Sequence, residues 1–214
     1  MPHDHHDHDT LSPSGHPYRK DDDTALSYWQ VLEIAVRELL IEKGHITAVQ
    51  VHDQINTMDA RSPANGAKVV ARAWCNPEFK SALLADAAQA SRDMGFDIGP
   101  MHLIAVENTA SVHNVVVCTL CSCYPRNLLG LPPDWYKSRA YRSRTVIEPR
   151  KVLSEFGVDI AQDVQVRVHD STADMRYIVL PAQPALARGL LENELAQWVT
   201  RDSMIGVGIP QAPI

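Results

Sequence analysis

Long apolar runs are missing from this 214-residue chain. No stretch approaches the roughly 18–20 residues a membrane-spanning helix needs, so a span is excluded. Aromatic residues make up only 6%. Positive charge is in deficit: 20 Lys+Arg stand against 26 Asp+Glu, a formal net charge of −6, which argues against a general nucleic-acid surface. The opening MPHDHHDHD lacks the basic stretch and apolar core of a secretory signal, and the chain reads as cytosolic. There is no P-loop, no H-E-x-x-H and no G-x-S-x-G. His169-Asp170-Ser171 has the composition of a hydrolase triad, but three adjacent residues cannot supply its geometry. Cysteine is sparse, with four residues, and in a reducing compartment these point to metal or redox chemistry rather than disulfides.

Hydrophobic residues reach 45%, enough for a core of ordinary size. The charge is concentrated at one end. Residues 1–23 carry six Asp against Arg19 and Lys20, and five of the ten His (His3, His5, His6, His8, His16). This low-complexity segment has no apolar periodicity and reads as a disordered, solvated tail, 1–23, with incidental affinity for cobalt or nickel.

Helical signals follow. Leu26, Trp29, Leu32, Val36, Leu39 and Leu40 recur at helical spacing, predicting a helix from about Asp22–Thr24 to Gly44. Thr47 caps a second helix toward Met58, and Ser62-Pro63 opens a third through Trp74. Asn76-Pro77 starts a fourth, predicted to run unbroken to Met94. Residues 24–98 thus read as a helical arm that leans on another subunit. From 99 the texture is mixed, with β-branched runs at Leu103–Val106, Val115–Val117, Val164–Val168 and Arg176–Leu180. A proline-rich connection surrounds Leu131-Pro132-Pro133, helical character spans 138–156 with a break at Glu148-Pro149, and a short helix covers Leu191–Val199. The expected class is α+β: an N-terminal helical arm, then a mixed α/β layered domain over 99–214.

That domain carries Cys118-Thr119-Leu120-Cys121-Ser122-Cys123, a C-x-x-C-x-C set directly after a strand. A structural zinc site wants four ligands, usually as two separated pairs, and no second pair exists. A thioredoxin-like site leaves the third cysteine unexplained. Three thiolates on one turn can bind one metal. The peptide nitrogens of Ser122 and Cys123 lie between the sulfurs of Cys121 and Cys123, and as amidates they complete a five-ligand claw with one open position. Such strong-field donors favour low-spin cobalt(III) or iron(III), and the open position makes a Lewis acid. Exposed metal thiolates can also be oxidised to sulfenate and sulfinate. Cys75, after Trp74 in an apolar stretch, reads as core.

The claw, with Tyr124-Pro125, Leu129–Ser138, Tyr141-Arg142-Ser143-Arg144, Glu148-Pro149-Arg150, Arg176–Pro181 and Val199–Val207, resembles the alpha subunit of nitrile hydratase from about residue 28 onward. The resemblance implies metal bound through the sulfurs of Cys118, Cys121 and Cys123 and the nitrogens of Ser122 and Cys123. It also implies sulfinate at Cys121, sulfenate at Cys123, and hydration of a nitrile to an amide. The oxygen nucleophile is the sulfenate of Cys123 or a water it activates, with Ser122 supporting the claw. Thr119 matches the cobalt-type version, so one cobalt(III) per chain is expected over iron(III). Two arginines of a beta subunit hold the oxidised sulfurs in the family, which implies an alpha-beta heterodimer, assembled as alpha2-beta2.

Arg126 stands where many nitrile hydratases have Trp. It resembles instead the gamma subunit of thiocyanate hydrolase, whose substrate is an anion, and Arg126 is a candidate pocket residue. A third reading, from a different class, is a non-catalytic metal carrier using the claw and the His-rich tail. The basic residues Lys137, Arg139, Arg142, Arg144, Arg150 and Lys151 read as ion-pair partners rather than an RNA surface.

Overall fold

The computed structural model describes residues 25–213, so the His-rich tail lies outside the described residues. The chain divides into two compact units, one ending at Asp53 and one running from Gln54.

In the first unit, helix α1 (Tyr28–Glu42) begins at the N-cap Ser27. Ser27 Oγ accepts from the Gln30 backbone N–H at 3.4 Å, and Gln30 Oε1 accepts from the Ser27 N–H at 2.8 Å. This capping box satisfies two orphan donors and sets the start later than the apolar spacing suggests. Helix α2 (Ala48–Asp59) crosses the boundary between the units and has a similar box, formed by Thr47 and Gln50. Neither helix buries a residue, and Leu26, Tyr28, Trp29, Val31, Val36, Leu39 and Val49 are exposed.

The second unit holds the core. Helix α3 (Pro63–Cys75) buries Ala67, Val69, Val70, Ala71 and Ala73. The predicted helix to Met94 is two helices, α4 (Pro77–Ala85) and α5 (Ala87–Asp93). Asp86 adopts extended backbone (φ −149°, ψ 92°) between them, and its carboxylate accepts from the Gln89 N–H at 2.9 Å to cap α5.

Four strands follow the predicted runs: β1 (His102–Glu107), β2 (Val112–Val117), β3 (Gln165–Asp170) and β4 (Met175–Leu180). They form two parallel pairs, β1 with β4 and β2 with β3, in registers that set Ala105 beside Ile178 and Val117 beside Asp170. Parallel pairing demands long crossovers. Between β2 and β3 lie α6 (Arg126–Leu129), α7 (Asp134–Lys137), α8 (Arg139–Ile147) and α9 (Pro149–Glu155). The last two confirm the break at Glu148-Pro149, whereas α6 and α7 are single turns inside the stretch read as a connection. A 3-10 turn at Ala185–Ala187, α10 (Glu192–Trp198) and α11 (Arg201–Ile205) complete the unit.

One core cluster joins α3, α4, α5 and all four strands, with Val69, Val115, Val116, Val117 and Val179 sealed completely. Each such side chain contributes about 1.5–3 kcal/mol relative to exposure. Cys75 is not part of it. It is exposed at the end of α3, beside the Arg72–Glu192 ion pair, so its apolar neighbours in sequence are not its neighbours in space.

The basic stretch resolves into intrachain contacts. Arg144 pairs with Glu148 and Glu155, both at 2.6 Å, Lys137 with Asp134 at 2.9 Å and Lys151 with Glu148 at 3.5 Å. Arg150 donates to the carbonyls of Ile160, Ala161 and Val164. No helix among the described residues is long and apolar enough to cross a membrane.

Candidate metal centre

The claw sits where β2 ends. Val117 and Cys118 are fully buried, and the chain then turns outward so that Thr119, Leu120, Cys121 and Ser122 are exposed. The β2–β3 register explains how the turn is held. It sets Asp170 beside Val117, from where the Asp170 carboxylate accepts from the Thr119 N–H at 2.9 Å and from Thr119 Oγ1 at 2.6 Å. The Ser171 N–H closes the ladder on Val117 O at 2.7 Å.

The sulfurs of Cys118, Cys121 and Cys123 all lie within 4.8 Å of one another. Cys118 and Cys121 are 3.5 Å apart, and Cys121 and Cys123 are 3.1 Å apart. The Cys121 N–H points at Cys118 Sγ at 3.3 Å, and the N–H groups of Ser122 and Cys123 point at Cys121 Sγ. Protons shared with Cys123 and Cys118, helped by those two backbone donors, pull the Cys121 thiol below its ordinary range. Burial, then the same sharing, pushes Cys123 up to about 12. A cation bound among the sulfurs would favour their thiolate forms, since the thiolate is the metal ligand. Three sulfurs so close make a donor set that fits a single thiophilic metal ion better than a hard, oxygen-seeking one.

The floor of the turn is aromatic. Tyr136 is fully buried and its hydroxyl donates to Cys123 O at 2.8 Å, while the Tyr141 hydroxyl donates to Val116 O at 2.7 Å. Trp135 packs edge-on against Tyr141 and Phe156, both with ring centroids 4.9 Å away, and Tyr124 packs so on Tyr136 at 5.1 Å. Such pairs each add about 0.5–1.5 kcal/mol beyond area burial. Burial holds the hydroxyls of Tyr124, Tyr136 and Tyr141 well above the usual tyrosine range; Tyr136 and Tyr141 serve as neutral donors, while the buried Tyr124 hydroxyl has no partner.

Two further cations reach the site. Arg142, from α8, donates through Nη1 to Cys121 O at 3.0 Å and to Thr119 O at 3.4 Å. Arg176, from β4, lines the claw cavity and favours the ionised form of Cys123. The Nε of each is buried without a hydrogen-bond partner. The cavity, about 230 Å³, is bounded by Cys121, Ser122, Cys123, Arg126, Pro132 and Arg176. Arg126 is exposed on its rim and also borders a second cavity of about 320 Å³, with Met58, Arg61 and Leu131.

Residues 27–208 match the family model described as nitrile hydratase, alpha chain. The chain belongs to the nitrile hydratase alpha-chain family. It is 49% identical over 183 residues to the low-molecular-weight cobalt-containing nitrile hydratase subunit alpha of Rhodococcus rhodochrous, covering 84% of this chain and 87% of the relative. A recombinant thiocyanate hydrolase comprising partially modified cobalt centres superposes with a TM-score of 0.82 at 40% identity, covering 89% and 93% of the two chains. A double mutant of the iron-type nitrile hydratase of Comamonas testosteroni Ni1 superposes with a TM-score of 0.79 at 39% identity, covering 89% and 94%.

Family membership makes the chain a relative of cobalt-containing hydro-lyase subunits and fits the sulfur cluster. The structure places Cys118, Cys121, Ser122 and Cys123 on one turn, the three sulfurs clustered, with Arg126 lining the same cavity. The sequence pattern does not mark Asp170, Arg142, Arg176 or Tyr136 as claw neighbours. In sequence Asp170 belongs only to a false triad, and Arg142 is one cation among several. The signal that would find Asp170 is the strand register that delivers it.

Proposed function

We propose that the chain is the metal-binding catalytic subunit of a nitrile hydratase, converting a nitrile and water to an amide. The observation that carries this reading is three cysteine sulfurs within 4.8 Å on one turn, with the N–H groups of Ser122 and Cys123 directed at the middle sulfur. Cys118, Cys121 and Cys123 would hold the metal through sulfur, and Ser122 and Cys123 through peptide nitrogen. Low-spin cobalt(III) held there would supply a Lewis acid that makes the nitrile carbon electrophilic. Identity of 49% to a cobalt-containing subunit and Thr119 in the claw support cobalt over iron(III).

Within this chain, Cys121 as sulfinate and Cys123 as sulfenate would carry three oxygen atoms between them. The Cys123 oxygen would attack the nitrile carbon, water then breaking its S–O bond, leaving its own oxygen on sulfur and giving both protons to the amide; or it would take a proton from a water that attacks instead. The Tyr136 hydroxyl holds the Cys123 carbonyl, and the Asp170–Thr119 bonds brace the other end of the turn. The open face of the claw and the unburied apolar residues of α1 and α2 suit a beta subunit, giving an alpha-beta heterodimer that pairs to alpha2-beta2. Leu120, 84% exposed on the claw loop, belongs with the same reading. Free thiols in this number suit the cytosol.

A second reading is favoured by Arg126 and Arg176. Two cations line the claw cavity and suit an anionic substrate, as in the metal-binding gamma subunit of thiocyanate hydrolase. Elemental analysis and intact mass of the chain purified with its co-expressed partner come first, followed by nitrile and thiocyanate assays. The expected result is about one cobalt per chain, roughly 48 Da of added oxygen, and amide formation from nitriles. Faster turnover of thiocyanate moves the second reading ahead. Zinc or no metal, with unmodified cysteines from an assembled complex, refutes both, and metal lost readily to a chelator supports a carrier.

A further inference from the structure

Arg142 lies in a stretch whose acidic residues serve other cations. Glu148 and Glu155 take Arg144, Glu148 also takes Lys151, and Asp134 takes Lys137. Among the described residues no carboxylate lies within ion-pair distance of Arg142, whose buried Nε has no partner at all. Its Nη1 is directed to two carbonyls of the claw turn, Thr119 O and Cys121 O. A half-buried guanidinium without a counter-charge is costly unless negative charge is supplied locally.

The carbonyl it holds matters more than the number of bonds. Cys121 O and Ser122 N belong to one peptide unit. No peptide bond among the described residues is cis, so the carbonyl and the N–H of that unit point in opposite directions. With Cys121 O gripped at 3.0 Å by Arg142, Ser122 N is turned toward the sulfurs, where its N–H meets Cys121 Sγ. A peptide nitrogen bound to metal as an anion shares its charge with that same oxygen by resonance.

We propose that Arg142 is a positioning residue for the claw. It fixes the Cys121–Ser122 peptide plane with the Ser122 nitrogen facing the sulfurs, and it sets a permanent positive charge on the oxygen that shares the nitrogen's charge. This rests on the claw holding a metal, as proposed above. Arginine suits the task because it stays charged and its Nη1 holds two N–H donors in fixed directions, one toward each carbonyl, whereas a lysine ammonium rotates freely.

The test uses the chain co-expressed with its partner in cobalt-supplied cells, as wild type, Arg142→Gln and Arg142→Lys. Cobalt per chain, the sulfur-to-metal charge-transfer absorption, cobalt retention against a chelator and the thermal midpoint are read together. Arg142→Gln is expected to hold cobalt roughly 10–100-fold less well, the range for lost outer hydrogen bonds at a metal, with a displaced absorption band. Arg142→Lys should fall between, and it carries the test if the glutamine variant does not assemble. In Arg142→Ala, added guanidinium should move the band back toward wild type. Wild-type band and retention in both Arg142→Gln and Arg142→Lys, or a lowered thermal midpoint with the band unmoved, overturns the proposal. A wild-type complex with neither cobalt nor the band overturns the functional reading itself, and this proposal with it.

Discussion

Replacing Gly206 by alanine tests how tightly α11 is pressed against the strand that leads into the claw. Gly206 follows α11 with φ +87°, and a Cβ there would lie 2.0 Å from Asn114 O and 2.9 Å from Val115 Cα. Those atoms are β2 backbone, unable to swing aside as a side chain would. The Cβ sits about 1.4 Å inside ordinary contact, so α11 and β2 must separate. Separation also stretches the 2.7 Å bond between His113 Nε2 and Gly206 O, inside the core. The left-handed backbone costs an L-residue about 1–2 kcal/mol, overpacking about 1–3 and a weakened buried hydrogen bond about 1 or more. The total is about 3–6 kcal/mol, a large share of a marginal fold's stability. Gly157→Ala is the matched control. Gly157 has φ +79° but nothing within 4 Å of its Cβ, so only the backbone cost of about 1–2 kcal/mol applies. Urea midpoints of the purified complex, followed by tryptophan fluorescence, compare the two. Equal losses would refute the argument that contact with β2, rather than backbone conformation, dominates at Gly206.

Removing the phenolic hydroxyl in Tyr136→Phe leaves Cys123 O without its 2.8 Å donor, and we expect a loss of about 1–3 kcal/mol, toward the lower end because Cys123 is only half-buried. A urea midpoint equivalent to less than about 0.5 kcal/mol, the level of an ordinary surface change, would show that the bond does not brace the claw. Burial depresses both His113 and His169 below their ordinary 6.5, so each is neutral in the fold. Stability from both is complete above the unfolded value and is lost as pH falls through 6.5 toward the lower folded values, by at most about 1.4 kcal/mol per pH unit for each. Urea midpoints between about pH 7.5 and 5.5 should therefore fall on acidification, and fall less steeply in His113→Gln. Glu148 and Glu155 titrate below that window, since Arg144 holds both carboxyls low. A flat profile would contradict the neutral assignment.

The hydrogen bonds around these histidines fix their tautomers without reference to pH. The Asn114 N–H can only donate, so Asn108 Oδ1 faces it at 2.7 Å and the Asn108 amide nitrogen must face His113 Nδ1. Nδ1 is then an acceptor and Nε2–H donates to Gly206 O. Asn114 Nδ2 donates to Glu107 O at 2.7 Å, which turns its Oδ1 to receive His169 Nε2–H at 2.8 Å. Protonating His113 would set one N–H against another.

The claw is legible in the sequence because its parts are local: three cysteines within six residues need only one turn to meet. The strands are legible as β-branched runs, and the break at Glu148-Pro149 as a proline that cannot continue a helix. What escapes is either a cap hidden in a favourable composition or a partner distant in sequence. Asp86 interrupts Leu83-Leu84-Ala85-Asp86-Ala87-Ala88, where alanines on both sides favour helix and only the side-chain bond to Gln89 reveals the stop. Leu131-Pro132-Pro133 masks the single-turn helices on either side, too short to show a period. Asp170 reaches Thr119 across 51 positions of chain, and no local pattern could announce a contact made by strand register.

That register also bears on why a highly charged site is tolerated at this place. In the proposed donor set, three singly charged anionic sulfur groups and two amidates would outweigh a trivalent ion by two negative charges. The turn rests on a floor of buried aromatic rings, where uncompensated charge is costly. The chain answers from outside the turn, with Arg142 from α8 on the carbonyl side and Arg176 from β4 on the cavity side. Asp170 contributes negative charge nearby, and both its oxygens are engaged by Thr119, so it acts as a brace for the turn. A neutral substitution at Arg142 or Arg176 would remove positive charge that offsets this excess, and the effect should appear in the metal before it appears in the fold.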